Sequence, residues 1–297
     1  MSAAAAPGTT PAYYIPQPSH WPITGAIALL LMGSGSAFWF NQYPAGPWMV
    51  AIGFATLLYM LFGWFGTVIG ESEGHLYNKK VDLSFRWAMS WFIFSEVMFF
   101  AAFFGALFYA RVLSVPWLGG EGTKVMANEL LHPLFENAWP TNGPNRLGPN
   151  ADGNFEIIPA LGLPAINTII LLMSGVTVTI AHHALRAGKR GVLNVFLAAT
   201  FLLGFLFVYL QATEYHHAYT ELGLTLGTGI YGSTFFMLTG FHGFHVTLGA
   251  IMLVCIWLRT MKGHFTPERH FAFEAVAWYW HFVDVVWLGL FIFVYWI

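Results

Sequence analysis

The sequence predicts an all-α integral membrane protein that crosses the bilayer seven times, and three observations predict it. Charged residues make up 9% of the chain and hydrophobic residues 57%. Soluble domains carry about one quarter charged residues, so water is not the solvent for most of this surface. Seven runs of about 20 residues hold few or no charges, the length that spans about 30 Å of hydrocarbon. Lys and Arg gather in alternate connections, as they do in cytoplasmic loops. The runs are read as helices because a lipid-exposed backbone must satisfy its own hydrogen bonds, and they lack the alternation of a barrel strand.

The elements follow in order. Met1 to His20 has no Lys or Arg and no signal-peptide pattern; it reads as a retained cytoplasmic tail. The first helix is expected over Trp21 to Phe40, followed by a Pro/Gly turn at Tyr43 to Pro47. The second runs over Trp48 to Ile69, and the third over Trp87 to Ala110, interrupted by Glu96. A polar segment, 114–158, rich in Pro, Gly and Asn, then forms a long outer loop, a length usual for functional or interaction surfaces. The last four helices are expected over Pro159 to Ile180, Val192 to Thr213, Ile230 to Leu258 and Ala275 to Ile297. The whole chain, 1–297, reads as a single seven-helix membrane domain.

With a cytoplasmic N-terminus, the inner loops hold Lys79, Lys80, Arg86, Arg186, Lys189, Arg190, Arg259, Lys262 and Arg269, nine of twelve basic residues. Seven crossings then put the C-terminus on the opposite, periplasmic face of a bacterial inner membrane, the mitochondrial inner membrane being the alternative. The net charge of −2 and the lack of a basic tract exclude a nucleic-acid footprint. A single cysteine, Cys255, rules out an internal disulfide or a thiolate cluster; it reads as a small buried hydrophobe.

Ionisable groups inside a membrane are costly and mark function by default. Glu96 lies about ten residues into the third helix, among Phe and Met, where desolvation favours its neutral form. It reads either as a proton-handling or lipid-sensing carboxyl group, or as a neutral acid hydrogen-bonded to a neighbouring helix. Glu274, Trp278 and His281 share a face of the seventh helix by their spacing, with Asp284 three residues on. Interhelical hydrogen bonding is the favoured reading there, and a metal or proton site the other. His242 and His245 share a face of the sixth helix; they could bind a metal or haem with Glu96, His281 or Asp284, or serve as donors in a closely packed helix that also carries Gly240, Gly243 and Gly249. The adjacent pairs His182-His183 and His216-His217 point about 100° apart and are weak ligand candidates. Trp64, Glu71, His75, Arg86, Arg259 and Lys262 form a set at the cytoplasmic boundary, suited to snorkelling or to lipid headgroups. Gly66 and Gly70 offer a small-residue face on the second helix. From these residues alone a haem-binding cytochrome and a proton-coupled transporter both remain open.

Several segments together resemble one family. They are Trp278-Tyr279-Trp280-His281-Phe282-Val283-Asp284-Val285-Val286-Trp287-Leu288, Ser95-Glu96-Val97-Met98-Phe99-Phe100, Ala181-His182-His183 and Tyr231-Gly232-Ser233-Thr234-Phe235-Phe236. Thr239-Gly240-Phe241-His242-Gly243-Phe244-His245-Val246 adds a further string. Taken in their order along the chain they resemble subunit III of haem–copper cytochrome c oxidases. The second helix departs from the family's pattern at Trp64-Phe65-Gly66-Thr67, where relatives often carry a tryptophan pair and charged residues. The resemblance implies two helix groups, one to two and three to seven, with a lipid-holding cleft between them. It implies a non-catalytic subunit that binds structural phospholipids and supports proton uptake and the stability of the catalytic subunit, in a complex that reduces oxygen to water. The partners so implied are subunits I and II, which carry the haem and copper, with no metal in this chain. Glu96 then matches the family's buried carboxylate, and Trp64, Glu71, His75 and Arg259 match headgroup positions. His242, His245, Glu274, His281 and Asp284 become interhelical polar packing.

Overall fold

The computed structural model describes residues 14–150 and 153–296. Residues 1–13 of the expected tail, 151–152 of the outer loop and Ile297 at the end of the seventh helix lie outside the described residues. Among the described residues there is no strand, and seven helices are long and apolar enough to cross a membrane. They are α1 (Trp21–Phe40), α2 (Ala45–Glu73), α3 (Lys79–Phe108), α4 (Leu163–Arg186), α5 (Arg190–Thr220), α6 (Gly229–Met261) and α7 (Phe271–Leu290). A π-helical stretch, Tyr109–Ser114, and a short turn, Val115–Leu118, extend α3, and a second π-helical stretch, Phe291–Trp296, extends α7.

α1 has the expected limits, while α2 and α5 run past theirs into polar sequence, to Glu73 and Thr220. α4 begins and ends later than expected, at Leu163 and Arg186. Counting uncharged residues measures the hydrocarbon slab. A helix can go on in water or among headgroups, where Glu, His and Arg cost nothing to expose.

The chain divides into two compact units, Met1–Phe85 and Arg86–Ile297. In the first, α1 and α2 pack along each other after a tight turn in which Gln42 takes a positive φ of 62° and the Tyr43 amide donates to the Phe38 carbonyl at 2.9 Å. The backbones approach closely at Gly53, where a Cβ would sit 2.9 Å from the Ala28 carbonyl oxygen and 2.8 Å from Met32 Cγ. Small residues permit such contact where lipid offers no hydrophobic drive to pair. A Cβ at Gly66 or Gly70, by contrast, would meet no described atom of α1. The Trp21 indole donates to Thr67 Oγ1 at 3.1 Å.

In the second unit α7 is the most enclosed span and α3 the least. Trp280 and Trp287 of α7 are buried; their indoles donate to Ser174 Oγ and Thr168 Oγ1 of α4, both at 2.9 Å. The Trp280 ring lies between two glycines. A Cβ on Gly204 of α5 would come within 2.6 Å of its Cη2, and one on Gly249 of α6 within 2.7 Å of its Cε3. α4 and α5 lie backbone to backbone and share a Thr177–Thr200 hydroxyl bond of 2.9 Å. α3 is joined differently, with its backbone farther from α6 and α7 and the space filled by rings. Phe99 meets Phe241 at 5.0 Å between centroids, Phe100 meets Phe282 at 6.1 Å and Phe92 meets Tyr279 at 6.3 Å.

The outer segment is tied down rather than loose. The Asn128 amide nitrogen donates to the carbonyls of Leu118, His132 and Phe135. The Tyr231 amide donates to Thr141 O at 3.2 Å, and the Glu156 amide to Leu222 O at 2.8 Å. Cys255 corrects an expectation: it is exposed, on a face of α6 turned away from the core, where an apolar thiol costs little against lipid or another apolar surface.

Candidate functional site

Glu96 of α3 meets His245 of α6, with Oε2 2.9 Å from Nε2. Nδ1 of His245 lies 2.6 Å from the Phe241 carbonyl oxygen. A carbonyl only accepts, so Nδ1 carries a hydrogen. One proton then sits between Nε2 and Oε2, either on the acid facing a neutral imidazole or on an imidazolium facing a carboxylate. Phe99 and Phe100 cover the pair, with ring centroids 5.9 and 5.1 Å from that of His245. The Phe and Met neighbours were legible in the sequence; the basic partner, 149 residues away, was not.

His242 shares a helix face with His245 but not its partner. Its Nε2 donates to the Val283 carbonyl at 3.1 Å, and the ring is fully buried beside Trp287. His281 is exposed; its Nε2 lies 3.3 Å from Thr179 Oγ1 and its Nδ1 3.7 Å from Asp284 Oδ2. Asp284 is buried, and its Oδ2 occupies the space that a Cβ on Gly175 would need, so no side chain fits there. The structure therefore does not assemble His242, His245, His281, Glu96 and Asp284 around one point. It makes two separate pairs and one donor to the backbone.

The expected boundary set divides between the two units. In the first, the Tyr77 hydroxyl donates to Glu71 Oε2 at 2.6 Å. Burial, then the bond to the Glu71 carboxylate, push the Tyr77 hydroxyl well above its ordinary range. Trp64 is exposed and stacked on Phe65, and His75 takes a left-handed φ of 58° just past α2. In the second unit, Arg259 lies over the Phe265 ring at 4.5 Å, and Lys262 follows the last turn of α6. Arg86 is engaged by Glu274 at 2.5 Å and lies 5.0 Å over Phe271. Glu274 also faces His182 and His270, so it belongs to a cluster of four rather than to a face of α7 alone.

Two features escaped the sequence reading. Glu214 of α5 is buried and accepts a 2.6 Å bond from the Tyr295 hydroxyl; both residues lie near expected helix ends, and only folding brings them together. His270 stands four residues before Glu274, a spacing that places the two on one face, yet nothing local points to His182.

The family described as Cytochrome c oxidase subunit III matches residues 11–135 and 149–297. The protein named Cytochrome c oxidase subunit 3 of Oryctolagus cuniculus is 42% identical over 289 residues, covering 97% of this chain and 97% of that protein. Those of the same name from Gadus morhua and Carassius auratus are each 43% identical over 287 residues, covering 96% of this chain and 97% of theirs.

Proposed function

Because this chain belongs to the cytochrome c oxidase subunit III family, we propose that it is a non-catalytic core subunit of a cytochrome c oxidase, binding phospholipid and supporting proton uptake and the durability of the oxygen-reducing subunit. The observation that carries the reading is the match over nearly the whole length, through both helical units. Haem and copper belong to the partners, subunits I and II, and the electron-transfer chemistry is theirs.

The lipid part of the proposal is supported by surface chemistry. Trp64, Trp87 and Trp91 expose large rings, the residue type that anchors at headgroup level, and the exposed Phe65 stacks beside Trp64. Arg259 and Lys262 place cationic groups at the end of α6, able to neutralise a phosphate. The distribution of Lys and Arg favours a cytoplasmic N-terminus and a periplasmic C-terminus.

The test is to purify the oxidase with and without this chain and to follow oxygen consumption through many turnovers. The depleted complex is expected to start near the intact rate, then lose activity at least several-fold sooner, with less retained phospholipid by mass spectrometry. Equal lifetimes and equal lipid content would overturn the proposal.

A further inference from the structure

His182, near the end of α4, His270, just before α7, and Glu274, in the first turn of α7, converge at the basic-loop end of the second unit. Nε2 of His182 lies 3.3 Å from Nε2 of His270 and 3.6 Å from Glu274 Oε1. Nε2 of His270 lies 3.3 Å from the same oxygen. Bonds of about 2.0–2.2 Å to a tetrahedral zinc ion set ligand atoms about 3.3–3.6 Å apart, so all three edges already have that length.

The surroundings orient two of the three atoms. His270 Nδ1 is 3.0 Å from the Thr266 carbonyl oxygen. The carbonyl can only accept, so the hydrogen is on Nδ1 and Nε2 presents its lone pair to the cluster. An outer hydrogen bond of this kind orients metal-binding imidazoles. Arg86 holds Glu274 by Oε2, which leaves Oε1 turned towards the two rings. His270 is nearly buried and His182 about a quarter exposed, so the cluster is covered at His270 and accessible at His182.

We infer that His182, His270 and Glu274 form a binding site for a divalent transition-metal ion, with water as fourth ligand. Two imidazoles and one carboxylate suit Zn²⁺ and disfavour Mg²⁺ or Ca²⁺, which take oxygen ligands. The ion would clamp the end of α4 to the start of α7. Arg86 tempers the affinity by its charge while fixing the carboxylate. This inference is independent of the role proposed above, since it concerns only atoms of this chain.

The experiment uses the full chain purified within its complex, stripped with a chelator and then equilibrated with Zn²⁺ alone. Anomalous scattering at the zinc edge is expected to place an ion between the three atoms. Metal analysis is expected to find one fewer zinc per complex, or at least tenfold weaker retention, in H182Q and in H270Q, with the chain still present in the complex. Should either variant fail to assemble, the anomalous map of the unaltered protein decides by itself. A map with no peak there, or variants that keep the full zinc content, would overturn the site and leave a hydrogen-bonded cluster sharing a proton.

Discussion

At the scale of single residues, the arrangement of Glu96 and His245 sets a narrow expectation. The pair needs one proton between its facing atoms, and a glutamine amide can donate to His245 Nε2 as a protonated acid would. Glu96→Gln is therefore expected to keep the initial rate of oxygen reduction within about twofold, or roughly 0.4 kcal/mol in barrier. His245→Ala leaves a largely enclosed acid without its partner and should destabilise the chain by about 1–3 kcal/mol; the two variants are compared by initial rate and by thermal unfolding of the complex. A large immediate loss of proton pumping in Glu96→Gln, with lipid content intact, would show that the carboxyl group moves protons. Legibility at this scale was uneven for a physical reason. A lone carboxyl group in an apolar run is conspicuous from its own neighbours. Its partner is not, nor are the partners of His182 and Glu214, because contacts between helices join residues that share no local pattern.

At the scale of elements, the clasp on Trp280 carries the next expectation. Gly249→Ala would place a methyl group 2.7 Å from Cε3 of a fully buried ring, and the ring cannot retreat without losing its bond to Ser174. Overpacking of this kind costs about 1–3 kcal/mol, so the midpoint of thermal unfolding in detergent should fall. Gly66→Ala, with no described atom of α1 within reach, serves as the silent comparison; equal midpoints would refute the packing argument. All seven helices were legible because each must fill one hydrocarbon thickness with apolar side chains, and that requirement is written in every run. Apart from those of α1, their ends were less so, since Glu73, Arg186 and Thr220 lie where the bilayer no longer selects against polarity. The order within the 114–158 loop was equally hidden, because it rests on side-chain amides such as Asn128 reaching distant carbonyls.

At the scale of the whole molecule, an odd number of crossings has a direct consequence. Reporter tags on the two termini are expected to lie on opposite faces of the membrane, the N-terminal one inside. Accessibility of both from the same side would remove one span and, with it, the segregation of nine basic residues to a single face. The family was legible from short strings in α3, α6 and α7. The headgroup set rests on charge and aromaticity at a boundary, a habit of all membrane helices, and within it the structure joins Arg86 to Glu274.

The ring-filled gap beside α3 has one more implication. A helix seated on benzene rings rather than against neighbouring main chain takes its position from how those rings stack. The same rings therefore fix the reach of Glu96 to His245, and a substitution that reshapes one of them would alter where the shared proton rests.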